Sequence, residues 1–279
     1  MVAMENKAPK KIKLNYARII TAFLIVVAVL GAIALGSKYV AILFLIVNVL
    51  GARELCYVLE EEKTPIQNLI YMVLAVAPFV LMYLMHLSFG NTYFYLLILS
   101  IVIMVGLIIN LWFGKLDYNK IRYPFTVLYW GLPFSLASYF LIFGDQPRDI
   151  ILMSIIILIW TSDTMAYFTG KAFGKNKLFP SVSPGKTIEG SAGAGVFSIL
   201  VGLGFASALG ESYWKWAIVG ILIWVLGTLG DLVESRLKRV QSVKDSGSIL
   251  PGHGGFLDRF DSLVLLIPFL LLLEYYLRA

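Results

Sequence analysis

Between Gly230 and Ser262 the chain reads GDLVESRLKRVQSVKDSGSILPGHGGFLDRFDS. Asp231, Glu234, Ser235 and Lys238 recur at i, i+3, i+4 and i+7. On a helix they share one face, while Leu232, Val233, Leu237 and Val240 lie largely elsewhere. Asp258 and Asp261 follow at i, i+3 with Arg259 between them, just before an apolar run. Carboxylates from two separate helix ends suit a hard divalent cation. Mg2+ commonly takes one or two carboxylates, waters and substrate phosphate oxygens. The dense Lys and Arg nearby admit a second reading, a structural ion-pair network. His253 lies in a Pro-Gly-His-Gly-Gly loop too flexible to continue a helix. It is placed to touch phosphate or a base, or to hydrogen-bond within the loop. Two histidines, His86 and His253, and one cysteine do not supply a zinc ligand set.

A second polar cluster precedes it, WTSDTMAYFTGKAFGKNKLFPSVSPGKTIEG from Trp160 to Gly190. Asp163 falls inside an apolar segment, with Tyr167 on the same helix face. An acid there costs ~2.5–3.5 kcal/mol on insertion scales, so it must face a partner or a polar cavity. Either a helix-helix hydrogen bond or a functional site meets that need. Gly170, Gly174 and Gly185 interleave with Lys171, Lys175, Lys177 and Lys186. Glycine lets backbone N–H groups approach phosphate, and lysine adds compact positive charge. The spacing is not that of a Walker loop, and an ordinary basic loop is the plainer alternative. Ser183 to Gly190 also reads as a helix start, with a polar cap, Pro184 and the early acid Glu189 before an apolar run. Helix starts bind anions.

What must hold these residues is a membrane scaffold. Of 279 residues, 59% are hydrophobic and only 14% are charged. Mean hydropathy is +0.83. Soluble domains carry roughly a quarter charged residues, so a water-covered globule and a disordered chain are both excluded. Runs of ~20 apolar residues mark spans at 17–36, 39–59, 66–87, 92–113, 122–143, 149–169, 190–209, 213–231 and 260–277. The fold class is thus an all-α polytopic membrane protein of about nine transmembrane helices with two long cytoplasmic loops. The first span reads as a retained helix and not a cleaved signal. The Gly- and Ala-rich seventh reads as a buried, closely packed helix. Cys56 cannot form an internal disulfide.

Charge sets the orientation. The N-terminus and the loops after even-numbered spans hold 19 of the 23 Lys and Arg. Lys38, Arg148, Lys215 and Arg278 fall on the other side. This predicts a cytoplasmic N-terminus and cytoplasmic polar loops. The net charge of +6 then points to anionic headgroups, with no nucleic acid among the expected partners. The aromatics read as interface belts. The chain divides into residues 1–150, an N-terminal transmembrane part for packing, a lipid chamber or a dimer interface, and residues 151–279, a catalytic part with loops 170–190 and 231–260.

Ser235 to Asp261, SRLKRVQSVKDSGSILPGHGGFLDRFD, resembles the signature of prokaryotic-type phosphatidate cytidylyltransferases (CDP-diacylglycerol synthases). SPGKTIEG and the Asp163-x-x-Ala166-Tyr167 segment are also similar to that family. The resemblance is close over 160–262 and loose elsewhere. It implies transfer of the cytidylyl group of CTP to phosphatidic acid, giving CDP-diacylglycerol and pyrophosphate at the cytoplasmic (inner) membrane. It implies Mg2+, with Asp231 and Asp258 as leading ligands and Asp261 or a second cation site beside them. Lys186, Arg236, Lys238, Arg239, Lys244 and Arg259 become candidates to hold substrate phosphates. Glu234, Ser235 and His253 are candidates to position substrate or metal-bound water, with Ser183, Asp163 and Glu189 supporting from the other loop. A homodimer is what the family suggests. Three rival readings remain: a CTP-dependent enzyme using another lipid acceptor, an ion-coupled transporter built around Asp163, and a purely structural membrane scaffold, which leaves the dense 230–262 constellation unexplained.

Overall fold

The computed structural model describes residues 16–60, 64–86, 92–114, 116–143, 149–247, 249–250 and 254–278. Its helices are α1 (Tyr16–Leu35), α2 (Ser37–Leu59), α3 (Pro65–His86), α4 (Thr92–Phe113), α5 (Arg122–Phe125), α6 (Leu132–Phe143), α7 (Asp149–Phe173), α8 (Ile188–Leu209), α9 (Tyr213–Val240) and α10 (Leu257–Arg278). A π-helical turn, Thr126–Gly131, fuses α5 and α6 into one rod. The described residues therefore form nine rods, one for each expected span. Seven are long and apolar enough to cross a membrane. The chain is an all-α multi-pass membrane protein with one small exception. β1 (Lys177–Phe179) and β2 (Ser183–Thr187) pair antiparallel in the loop between α7 and α8.

The core of the first half forms where α2, α3 and the α5–α6 rod meet. Small residues let backbones approach. A Cβ at Gly51 would lie 1.8 Å from the Trp130 ring, and one at Gly131 would lie 2.6 Å from the Ala75 carbonyl. Polar groups inside this apolar core need partners. Trp130 donates its ring N–H to the Asn48 carbonyl at 2.8 Å. Asn48 donates its side-chain amide to the Ala75 carbonyl at 3.0 Å. Pro78 in α3 lacks an N–H, so the Leu74 carbonyl, next to Ala75, loses its helical donor. Opposite faces stay apolar and exposed, as at Phe23, Val73 and Val102, where lipid would lie.

In the second half, α8 packs between α7 and α9. Its small residues make the contact. A Cβ at Gly195 would meet the Trp224 ring at 2.5 Å, and one at Gly202 would meet the Trp216 carbonyl at 2.7 Å. The expectation of a buried helix holds for this stripe only, because Val196 and Leu200 are each 56% exposed. Two boundaries also differ. Residues 231–240, counted within the 231–260 loop although their charged stripe reads as helical, continue α9 to Val240. Ser183–Thr187, expected as a helix start, is β2, and α8 begins at Ile188 with Thr187 as its cap. The Thr187 hydroxyl accepts from the Gly190 N–H at 3.1 Å.

Candidate active site

The polar clusters converge on the last two turns of α9. Its helical period carries Asp231, Glu234, Ser235 and Lys238 down one face, because no proline or glycine interrupts it after Gly230. The start of α10 supplies Asp258, in its first turn, and Asp261 just beyond it. Gly230 lets the two helices meet: a Cβ there would lie 2.8 Å from the Asp261 carbonyl. Carboxylate oxygens of Asp231, Glu234 and Asp261 all come within 4.8 Å of one another. Asp231 and Asp261 line a cavity, and Glu234 lies behind them, fully buried.

Two lysines balance this negative charge. Lys186, from β2, reaches Asp231 at 2.5 Å. Lys238 sits 2.5 Å from Glu234 and 2.7 Å from Asp258. Lys238 is only 12% exposed, so its removal would leave two carboxylates uncompensated in a low-dielectric place. Asp258 also accepts from the Gly255 N–H at 2.9 Å and the Ser246 N–H at 3.3 Å. It is thus held by a lysine and by the loop, while the triad proper is Asp231, Glu234 and Asp261.

The triad suits a hard cation. Buried Glu234 Oε1 has no hydrogen-bond partner among the described residues. An orphaned buried carboxylate oxygen beside two more carboxylates is costly unless a cation or its water completes the set. All donors are oxygens, the set that Mg2+ and Ca2+ prefer.

The cavity measures about 1640 Å³. At the triad end its wall includes Asp163, Lys171, Gly185, Lys186, Arg259 and Asp261. Farther along it is apolar, with Phe44, Ile155, Ile159, Ile267 and Leu271 among its lining residues, and Glu211, Lys215 and Glu274, at or beside the other ends of α9 and α10, line it too. One space thus joins the charged triad end to a long hydrocarbon-like stretch.

The other sequence candidates separate by position. Ser235 donates its hydroxyl to Asp231 at 3.2 Å. Arg236 points elsewhere, donating to the Leu111 carbonyl at the end of α4 at 3.2 Å. Arg239 donates to the Val182 carbonyl at 3.4 Å and so ties α9 to the hairpin. Glu189 accepts from the Lys175 and Asn176 N–H groups at 3.0 and 3.1 Å, fixing the turn before β1. Ser183 is half-buried at the start of β2, and Lys244 is exposed off the cavity wall. Of the three glycines expected in the first loop, Gly170 lies within α7, Gly174 packs against it and Thr187, and Gly185 has open space beside it at the cavity. His253, the charges before residue 16, Lys63, Lys115 and Arg148 lie outside the described residues, as do Glu61 and Glu62.

One site neighbour has no counterpart among the sequence candidates. Glu54 of α2, 1% exposed, accepts from the Leu257 N–H at 2.9 Å and from the Ser246 hydroxyl at 3.3 Å. The available signal was an acid inside an apolar helix, which in a membrane marks function by default.

Comparison with known proteins agrees with this geometry. Over 116 residues the chain is 50% identical to a phosphatidate cytidylyltransferase of Bacillus subtilis, covering 41% of this chain and 43% of the relative. Over 147 residues it is 46% identical to a phosphatidate cytidylyltransferase of Staphylococcus epidermidis, covering 52% and 55%. A Staphylococcus aureus protein of the same name is 47% identical over 116 residues, covering 41% and 45%. The chain thus spans about half the length of the curated relatives it matches. A family model described as "Cytidylyltransferase family" matches residues 16–277. With nearly the whole chain matched, and with the carboxylates and lysines gathered at one end of a membrane cavity, this protein belongs to the cytidylyltransferase family.

Proposed function

We propose that this protein transfers the cytidylyl group of CTP to phosphatidic acid, giving CDP-diacylglycerol and pyrophosphate. The observation that carries the reading is one cavity that holds the charged triad end and a long apolar stretch. Its apolar stretch suits acyl chains, and its charged end suits phosphates. The family, and the names of its relatives, support the donor and the acceptor.

In this reaction a phosphatidate oxygen attacks the α-phosphorus of CTP. A P–O bond forms there as the bond to the bridging oxygen breaks, and pyrophosphate leaves with that oxygen. Phosphatidate is already anionic near neutral pH, so the protein need not take a proton from it. Its task is to bring anions together and hold them in line. Lys186 and Arg259, on the cavity wall, are placed to hold substrate phosphates. Lys238 keeps Glu234 and Asp258 fixed. Asp231, Glu234 and Asp261 would hold Mg2+, with Asp258 adjoining. Bound there, Mg2+ would neutralise charge on the phosphate oxygens. Asp163 lies in the field of Lys186, Asp231 and Arg259 and supports the same end. The charge bias of the loops supports a cytoplasmic position for this end at the inner membrane, where CTP is. A homodimer is part of the proposal through the family alone.

Acceptor competition tests the lipid. Phosphatidate, an isoprenoid alcohol and diacylglycerol are offered together with labelled CTP. Label in CDP-diacylglycerol supports the reading, and label carried only by another lipid overturns it.

A further inference from the structure

Three glycines between α9 and α10, Gly247, Gly254 and Gly255, are explained by two carboxylates. A Cβ at Gly254, where φ is +81°, would lie 2.7 Å from Asp258 Oδ2. A Cβ at Gly247 would lie 2.7 Å from Glu54 Oε1, and one at Gly255 would lie 2.2 Å from Glu54 Oε2. Gly247 and Gly255 therefore lie against Glu54, which arrives from α2 in the other half of the chain.

Two loop residues touch both acids. Ser246 gives its hydroxyl to Glu54 at 3.3 Å and its N–H to Asp258 at 3.3 Å. Gly255 gives its N–H to Asp258 at 2.9 Å and packs its Cα against Glu54. Leu257, beside Asp258, donates its N–H to Glu54 at 2.9 Å. The Ser246 and Leu257 bonds both fall on Oε2, and Glu54 Oε1 has no hydrogen-bond partner among the described residues. Glu54 does not line the cavity, so it acts through the loop and not on substrate.

We infer that Glu54 is a positioning residue of the proposed transfer reaction, clamping both ends of the 246–257 loop so that Asp258 stands at the mouth of the carboxylate site. This role rests on the proposed cytidylyl transfer only for its kinetic consequence. The clamp itself is a claim about the loop. An acceptor oxygen is what the clamp needs, and a negative charge is not. Glutamine at 54 keeps one carbonyl oxygen where Oε2 receives its bonds, whereas alanine keeps none.

The test uses the full chain in detergent-lipid micelles. Glu54→Ala should lower kcat by ~10²-fold, the cost of a loosely held catalytic group, with KM for CTP changed by less than about threefold. Glu54→Gln should return kcat to within about tenfold of the parent. Gly255→Ala, which drives a Cβ into the same contact from the loop side, should reproduce the Glu54→Ala loss. Hydrogen exchange at the Ser246, Gly255 and Leu257 amides is read in parallel. It should accelerate in Glu54→Ala and return to the parent rate in Glu54→Gln. The exchange arm needs no turnover, so it judges the clamp even if the parent protein transfers no cytidylyl group. Should Glu54→Ala not fold, Glu54→Gln and Gly255→Ala carry both arms. Glu54→Gln as inactive as Glu54→Ala would mean that the charge matters, and would overturn the inference. So would unchanged amide exchange in every folded variant.

Discussion

Asp258 and Asp261 are three residues apart and have different neighbours. Asp261 joins Asp231 and Glu234 in a three-carboxylate group, while Asp258 faces Lys238 and two loop N–H groups. Asp258→Asn keeps a side-chain oxygen for the Ser246 and Gly255 N–H groups, and Lys238 keeps Glu234 as partner. The variant is expected to fold, with a melting temperature near that of the parent, and to lose ~10²–10³-fold in turnover. Near-parental turnover at limiting Mg2+ would remove Asp258 from the proposed metal and phosphate chemistry. At this scale the sequence was informative about residue type and less so about pairing. The i, i+3, i+4, i+7 face of Asp231 to Lys238 could be read directly, since α9 runs on unbroken to Val240. That Arg236 turns to the end of α4 could not, because its acceptor, the Leu111 carbonyl, is 125 positions away.

Elements position the site through close packing. Helix α9 carries both the Trp224 that packs on α8 and, two turns on, Asp231. Trp224 also donates its ring N–H to Ser191 at 3.0 Å. Gly195→Leu would drive a side chain into that ring, which a Cβ alone would approach to 2.5 Å. Overpacking of this kind costs typically ~1–3 kcal/mol. The expected result is a lower melting temperature in detergent and reduced turnover from a displaced α9, and an unchanged melting temperature would contradict the packing. All nine rods of the described residues were legible from apolar runs, and seven of them are long and apolar enough to cross a membrane, because length and hydropathy decide a membrane helix. The β1–β2 hairpin was not. Ser183 to Thr187 carries cap, proline and acid signals that also suit a helix start. Pairing with Lys177–Phe179 overrides them and delays the helix to Ile188.

Across the whole molecule, the two halves meet at the site. The 1–150 part is generic in sequence, so Glu54 looks like a lone acid in an apolar helix. Its partners Ser246 and Leu257 are 192 and 203 positions away, a separation that no local pattern reveals. Orientation is a claim about the whole molecule as well. Cys56 is the sole cysteine, and it is buried, so a reporter thiol has a quiet background. Lys175→Cys, on the exposed hairpin loop, should react with an impermeant maleimide from the cytoplasmic face only. Labelling from the opposite face would reverse the assigned topology.

The most direct measurement of the central claim is product stoichiometry. Purified protein in detergent-lipid micelles receives labelled CTP with and without phosphatidate, and with and without Mg2+. CDP-diacylglycerol and pyrophosphate should appear in equal amounts, require phosphatidate, and vanish on chelation of Mg2+. Pyrophosphate released without phosphatidate, or no liponucleotide from a demonstrably folded protein, would contradict cytidylyl transfer to phosphatidate.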